Sequence, residues 1–163
     1  MDMNIQPTIH HFKDKTLAGK RITTSFVSNK TFELWSSFMP LRSSIKNVID
    51  SYLYSVEVYP SLFFEQFNPT NNFEKWAALE VSSDDDLPIG IETLIIPSGK
   101  YAVFNYKGRS SEAVTFYQYI FQQWLPSSGY TLDNRPHFAL MGEKYKNDDP
   151  SSEEEIWIPI KEQ

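Results

Sequence analysis

Leu94-Ile95-Ile96-Pro97-Ser98-Gly99-Lys100-Tyr101-Ala102-Val103-Phe104 reads as two β-rich runs on either side of a Pro-Ser-Gly-Lys turn. The turn is a β-hairpin signal or a bulge within one continuous strand, and the sequence leaves both open. Downstream, Ala113, Phe116, Ile120 and Trp124 fall on one side of a helix over residues 110–124, and Val114, Tyr117 and Phe121 widen the apolar stripe. Ser110 or Ser111 is placed to cap that helix, and Pro126 with Gly129 stops it. His137-Phe138-Ala139-Leu140-Met141 and Glu155-Ile156-Trp157-Ile158-Pro159-Ile160 then read as strands. The order is strand, helix, strand, strand.

The first half of the chain repeats this order. Residues 16–26 are rich enough in β-branched side chains to form a strand, and Ser28 or Asn29 is placed to cap a helix carrying Phe32, Trp35, Phe38 and Met39 on one face. Pro40 kinks that helix before it resumes over 41–49. Residues 52–59 alternate as a strand with neither face wholly polar, so it is buried on both sides. Residues 60–72, with Phe63, Phe64 and Phe67, are a long connection that either packs back on the body or exposes three rings. In the strand over 75–81, Trp76, Ala78 and Glu80 share one face and Ala77, Leu79 and Val81 the other. Glu74-Lys75-Trp76 in the last strand of the first half matches Glu155-Ile156-Trp157 in the last strand of the second. The expectation is an α+β fold in one domain, 1–163, made of two pseudo-symmetric βαββ repeats at about 8–82 and 90–161. Such repeats form an antiparallel sheet with two helices packed on one side and a groove at the pseudo-two-fold axis.

Composition narrows the chemistry. With 163 residues the chain is the size of one ordinary domain, and its 15% aromatic content raises the question of whether some rings line a cavity. A formal charge of -6 repels phosphate backbones, so nucleic acid is not an expected partner. The absence of cysteine removes disulfides, thiolate nucleophiles and thiolate metal sites, and suits a reducing cytoplasm. The amino terminus lacks the basic and apolar regions of a leader and no run is long enough to span a membrane, so the expectation is a soluble cytoplasmic protein with no membrane partner.

Hydrolase, phosphate-loop and His-Glu-x-x-His motifs are missing, and no cofactor is expected. His10 and His11 diverge on an extended segment and His137 stands alone, so no metal is expected, and Asp84-Asp85-Asp86 reads as solvated loop charge. Glu57, Glu80, Glu155, Tyr101, Tyr106 and Tyr145 remain as acid-base residues. A cage of rings around one inward carboxylate is what a lipophilic cation requires, because ring faces attract positive charge and the acid supplies the counter-ion. The competing reading is that Trp35, Phe38, Phe104, Trp124 and Phe138 close an ordinary dry core.

Tyr101-Ala102-Val103-Phe104 with Gly108, Trp124-Leu125-Pro126-Ser127-Ser128-Gly129-Tyr130, Arg135-Pro136-His137-Phe138 and Glu153 to Ile160 together resemble the GyrI-like small-molecule-binding family. That family includes effector-binding modules of AraC-type and MerR-type multidrug regulators, and the resemblance runs through nearly the whole chain. It implies two SH2-like βαββ repeats around a hydrophobic groove that accepts diverse, often cationic, compounds. In the family a glutamate usually follows the Phe of the second-repeat strand and faces the groove; here that position is Ala139. Either the site is relaxed toward neutral ligands or the acid was deliberately removed. Glu57, in the equivalent strand of the first repeat, and Glu155 are the possible substitutes.

The function expected is stand-alone binding of hydrophobic, planar or cationic small molecules, since the chain begins directly with the module and carries no helix-turn-helix. Trp35, Phe38, Tyr54, Trp76, Phe104, Trp124, Phe138, Ala139 and Trp157 are the expected walls. The alternative implied by stand-alone relatives is hydrolysis of cyclopropane-containing electrophiles, which conflicts with Ala139. A third reading is inhibition of a protein partner through the acidic surface.

Overall fold

The computed structural model describes residues 5–163; residues 1–4, with which the expected domain begins, lie outside the described residues. Nine strands are present among them: β1 Thr8–Phe12, β2 Lys15–Thr24, β3 Leu53–Val58, β4 Phe73–Glu80, β5 Glu92–Ile96, β6 Gly99–Lys107, β7 Tyr130–Leu132, β8 His137–Met141 and β9 Glu153–Glu162. Helices α1 Thr31–Phe38 and α2 Ala113–Tyr119 follow β2 and β6, and a short α3 Leu125–Ser127 precedes β7. All pairings are antiparallel in the order β1-β6-β9-β8-β3-β4-β2-β5, with β7 added on β9. The strand, helix, strand, strand order therefore occurs twice, with β3 and β8 side by side where the two units meet.

The Pro97-Ser98 turn is not a hairpin, because β5 pairs with β2 while β6 pairs with β1 and β9. Thr8 faces Val103 and Phe12 faces Gly99; beyond the bend, Lys15 faces Ile96 and Gly19 faces Glu92, in unbroken register. β1–β2 and β5–β6 are thus two long bent strands forming one ribbon that joins both units. Gly19 is required where β2 lies on β4, since a Cβ there would collide with the Ala77 carbonyl oxygen.

The structure corrects the helix ends. After α1 the chain tightens into a 3-10 turn, Met39–Ser44, and the helix expected to resume over 41–49 does not form. Ile45 is already extended and Asn47 adopts φ 64°, which turns Val48 onto Val81. Neither serine caps α2, which begins at Ala113 without a side-chain cap; Ser110–Glu112 form a 3-10 turn ahead of it, where the Ser111 amide and hydroxyl both donate to Asp148 Oδ1 at 3.3 and 2.7 Å. Residues Ile120–Trp124 form a π-helical segment that continues α2.

Burial follows strand alternation. On the helix face of the sheet, α2 and the π-helical segment pack Phe116, Tyr119 and Ile120 on Phe104, Ile156 and Ile158, and α1 packs Leu34 and Phe38 on Ala18, Ala77 and Leu79. The opposite face, enclosed by the bent ribbon, holds Phe12, Tyr54, Trp76, Tyr101 and Phe138, with Trp157 packed against them.

Candidate functional site

Between the two helix-packed regions the sheet's middle strands present a third surface. On β3, Ser55 and Glu57 alternate with Val56, and on β8, His137 and Ala139 alternate with Phe138, so the first set lies on the helix face. Ser55 faces Ala139 and Glu57 faces His137 across the junction of the two units. Small side chains at Ser55 and Ala139 leave a floor, and larger ones close in from the sides. A cavity of about 20 Å³ remains, room for about one water, with Glu57, Tyr59, Tyr117, Phe121 and His137 in its lining.

Each wall has a local cause. Tyr59 follows directly on β3, Tyr117 comes from α2, and Phe121 lies in the π-helical segment, whose extra residue per turn shifts the side chains that follow it. From the connection between β3 and β4, Phe64 reaches across to stack on Phe121, with centroids 5.2 Å apart and planes 22° apart, and on His137 at 5.7 Å and 29°. The connection itself packs back through Phe63, which is buried against Tyr59 and Phe73, while Phe67 stays 53% exposed.

The electrostatics are those of a desolvated acidic site. Glu57 retains 16% side-chain exposure; burial raises its pKa, and Lys75 Nζ, 3.7 Å from Oε1, only partly offsets this. Glu154, on β9 in phase with Ile156 and Ile158, has its carboxyl pushed up to about 7 by burial and then by the Glu57 charge. Burial first, and both carboxylates next, hold the Tyr117 phenol well above its ordinary range, and Tyr59 is raised by burial and Glu57. Burial, helped by Arg135, lowers His137 to about 3, so its imidazole is neutral. Among the described residues no cluster of three or more His, Cys, Asp or Glu is placed to hold a metal.

The rings named from sequence go to different places. Trp35 and Phe38 meet edge to face under α1, Phe104 and Trp124 under α2, and Tyr54, Trp76 and Phe138 within the ribbon-enclosed cluster, where Trp157 stacks on Phe138 at 5.2 Å and 15°. Of the nine, Phe138 and Trp157 also reach the cavity lining, and Ala139 lies on its face of the sheet. Glu57 is in the site. Glu155 is exposed on the opposite strand face and accepts the Trp157 indole N–H at 3.2 Å; Glu74 accepts that of Trp76 at 2.5 Å. The Glu-x-Trp match is therefore one local contact built twice, and it fixes the equivalence of the units: Trp76 faces Val56, Trp157 faces Phe138, so Glu57 and Ala139 occupy equivalent positions. Lys75, Phe64 and Glu154 were not singled out from sequence; the signal available for Glu154 is its phase with the isoleucines of β9.

The GyrI-like small-molecule-binding domain matches residues 5–161. The chain belongs to the GyrI-like family. Transcriptional regulator BrlR of Pseudomonas aeruginosa is 27% identical over 129 residues, which cover 78% of this chain and 45% of that protein. This GyrI-like chain therefore spans less than half the length of that relative. The C-terminal domain of EcmrR superposes with a TM-score of 0.71 at 15% identity, covering 99% of this chain and 100% of that one. The structure of SAV2435 bound to tetraphenylphosphonium gives 0.70 at 15% identity, covering 96% and 94%. At these identities the likeness is one of fold. No helix among the described residues is long and apolar enough to cross a membrane.

Proposed function

We propose that the groove between α1 and α2 binds hydrophobic, planar or cationic small molecules, with Glu57 as counter-ion to the cationic ones and Tyr59, Tyr117 and Phe121 as aromatic walls. The observation that carries this reading is a carboxylate with 16% side-chain exposure held among three aromatic side chains at the junction of the two units. Such a carboxylate is costly to bury, and a desolvated cation facing ring π-systems recovers part of that cost. Support comes from the phosphonium complex of SAV2435, which shares the fold. Titration calorimetry with tetraphenylphosphonium tests it: Glu57→Gln is expected to lose about tenfold in affinity, corresponding to ~1.4 kcal/mol. Adding Ala139→Glu, which restores an acid at the equivalent position, is expected to recover most of the loss. Equal affinities of wild type and Glu57→Gln would overturn the reading.

A hydrolytic reading has one observation in its favour. Glu154, with a carboxyl near 7, is in the range a general base needs at neutral pH. That reading requires turnover of a cyclopropane-bearing electrophile by the wild type and its loss in Glu154→Gln.

A further inference from the structure

A cavity of about 20 Å³ is far below the several hundred Å³ that small-molecule sites enclose. The groove is closed because the chain fills it. Phe64 supplies a flat ring that stacks on Phe121 and on His137, two rings that are themselves 6.2 Å apart, and is met edge on by Tyr59 at 4.8 Å and 68°. Lys75 supplies an ammonium on Glu57. These are the two contacts a planar aromatic cation makes with an acidic aromatic site: stacking on the rings and a charge on the carboxylate. Neither side chain belongs to the floor of the groove. Phe64 comes from a connection without regular structure, and Lys75 comes from β4, beside Glu57 and away from the β3–β8 junction.

The anchors of the connection lie elsewhere. Phe63, 5% exposed, is wedged among Tyr59, Phe26 and Phe73, the Gln66 amide donates to the Leu62 carbonyl at 3.0 Å, and the Val27 amide donates to the Pro69 carbonyl at 3.2 Å. Phe64 is only half-buried and takes no part in these bonds, so its ring can rotate out by a side-chain torsion while the connection stays in place. Lys75 is long enough to withdraw from Glu57 and keep its ammonium in solvent at the groove's rim.

We propose that Phe64 and Lys75 are a built-in stand-in for the ligand, displaced together by a planar aromatic cation, and that they set its class: the ring selects planarity and the ammonium selects positive charge. This rests on the groove being the binding site. Calorimetric titration of the full chain with N-methylacridinium and its neutral isostere acridine, at neutral pH, tests it in wild type, Phe64→Ala and Lys75→Met. Phe64→Ala is expected to tighten both compounds about tenfold, because neither has to expel a ring. Lys75→Met is expected to tighten N-methylacridinium about tenfold and to leave acridine unchanged. Lys75→Gln, which removes the charge and keeps a hydrogen-bonding partner for Glu57, serves in its place if Lys75→Met unfolds on a thermal melt. Unchanged or weaker binding of both compounds in Phe64→Ala makes Phe64 a wall and overturns the proposal. So does a Lys75 variant that affects the two compounds alike or weakens the cation. Binding of neither compound by any variant overturns the binding reading itself, and this inference falls with it.

Discussion

Glu57 and Ala139 follow Val56 and Phe138 in equivalent strands, so at this strand position the first unit carries an acid and the second does not. The field of Glu57 reaches Glu154, and the two titrating neighbours Glu154 and His137 oppose each other in pH dependence. Glu154 has a folded pKa raised from 4.5 to about 7, so the folded state holds more protons in that window and stability falls as pH rises through it. His137 has a folded pKa lowered from 6.5 to about 3; the unfolded state holds more protons there, so stability present above 6.5 is lost as pH falls toward 3. Urea unfolding of Glu154→Gln is therefore expected to show a gain at pH above 7 of up to about 3 kcal/mol over wild type, shrinking toward zero below pH 4.5. A gain independent of pH would show that packing and not charge limits the wild type. Glu57 was legible as an acid on a buried strand because its position in β3 is fixed by alternation; Lys75 was not, because a lysine on a strand gives no sign of which neighbour it meets.

Among the elements, the bent ribbon decides the fold and Arg135 locks one end of it. Its guanidinium lies over Tyr101 at 4.7 Å, donates from Nε to Asp133 at 2.7 Å, and from Nη2 to the carbonyls of Lys100 and Ile160 at 2.6 and 3.1 Å. With 8% side-chain exposure it joins β6, β9 and the entry to β8, and Gly99 carries no Cβ because one would collide with it. Arg135→Met is expected to destabilise by roughly 3 kcal/mol, since a part-buried carboxylate and two carbonyls lose their donor. Arg135→Lys is expected to recover less than half of that, because an ammonium lacks the planar fork that serves three acceptors and a ring at once. Denaturant midpoints of the two variants check both, and full recovery by lysine would reduce the clamp to a simple charge. The Pro-Ser-Gly-Lys turn kept hairpin and continuous strand alike in play, because local turn chemistry is the same for both. The choice is made by pairing to β2 and β1, residues some eighty positions away. Helix α1 failed to resume after Pro40 for a similar reason: apolar spacing over 41–49 continues, but Val48 is taken by Val81.

At the scale of the molecule, alternation orders side chains within one strand but does not align the faces of different strands. Sequence alone therefore groups Tyr54, Trp76, Phe138 and Trp157 with Trp35, Phe38, Phe104 and Trp124 as common walls, and does not separate them as the inner core they form with Phe12 and Tyr101. That core has a consequence for the two units. Phe12, Tyr54, Val56 and Trp76 come from the first, and Ile96, Tyr101, Val103 and Phe138 from the second. Between the units β1 pairs with β6, β2 with β5 and β3 with β8, so separating them breaks three strand pairings as well as the cluster. Each unit alone would expose edges and apolar surface together, a combination that small domains of this size do not tolerate. Cut at the exposed Asp84-Asp85-Asp86 loop, the two fragments are expected to lack cooperative unfolding and dispersed amide spectra on their own, and to regain both when mixed at equal concentration. A fragment that melts cooperatively by itself would show that one unit is an independent fold. The groove would then be an interface between two folded bodies, and Phe64, which spans from the first unit to Phe121 of the second, would act as a hinge contact in place of a plug.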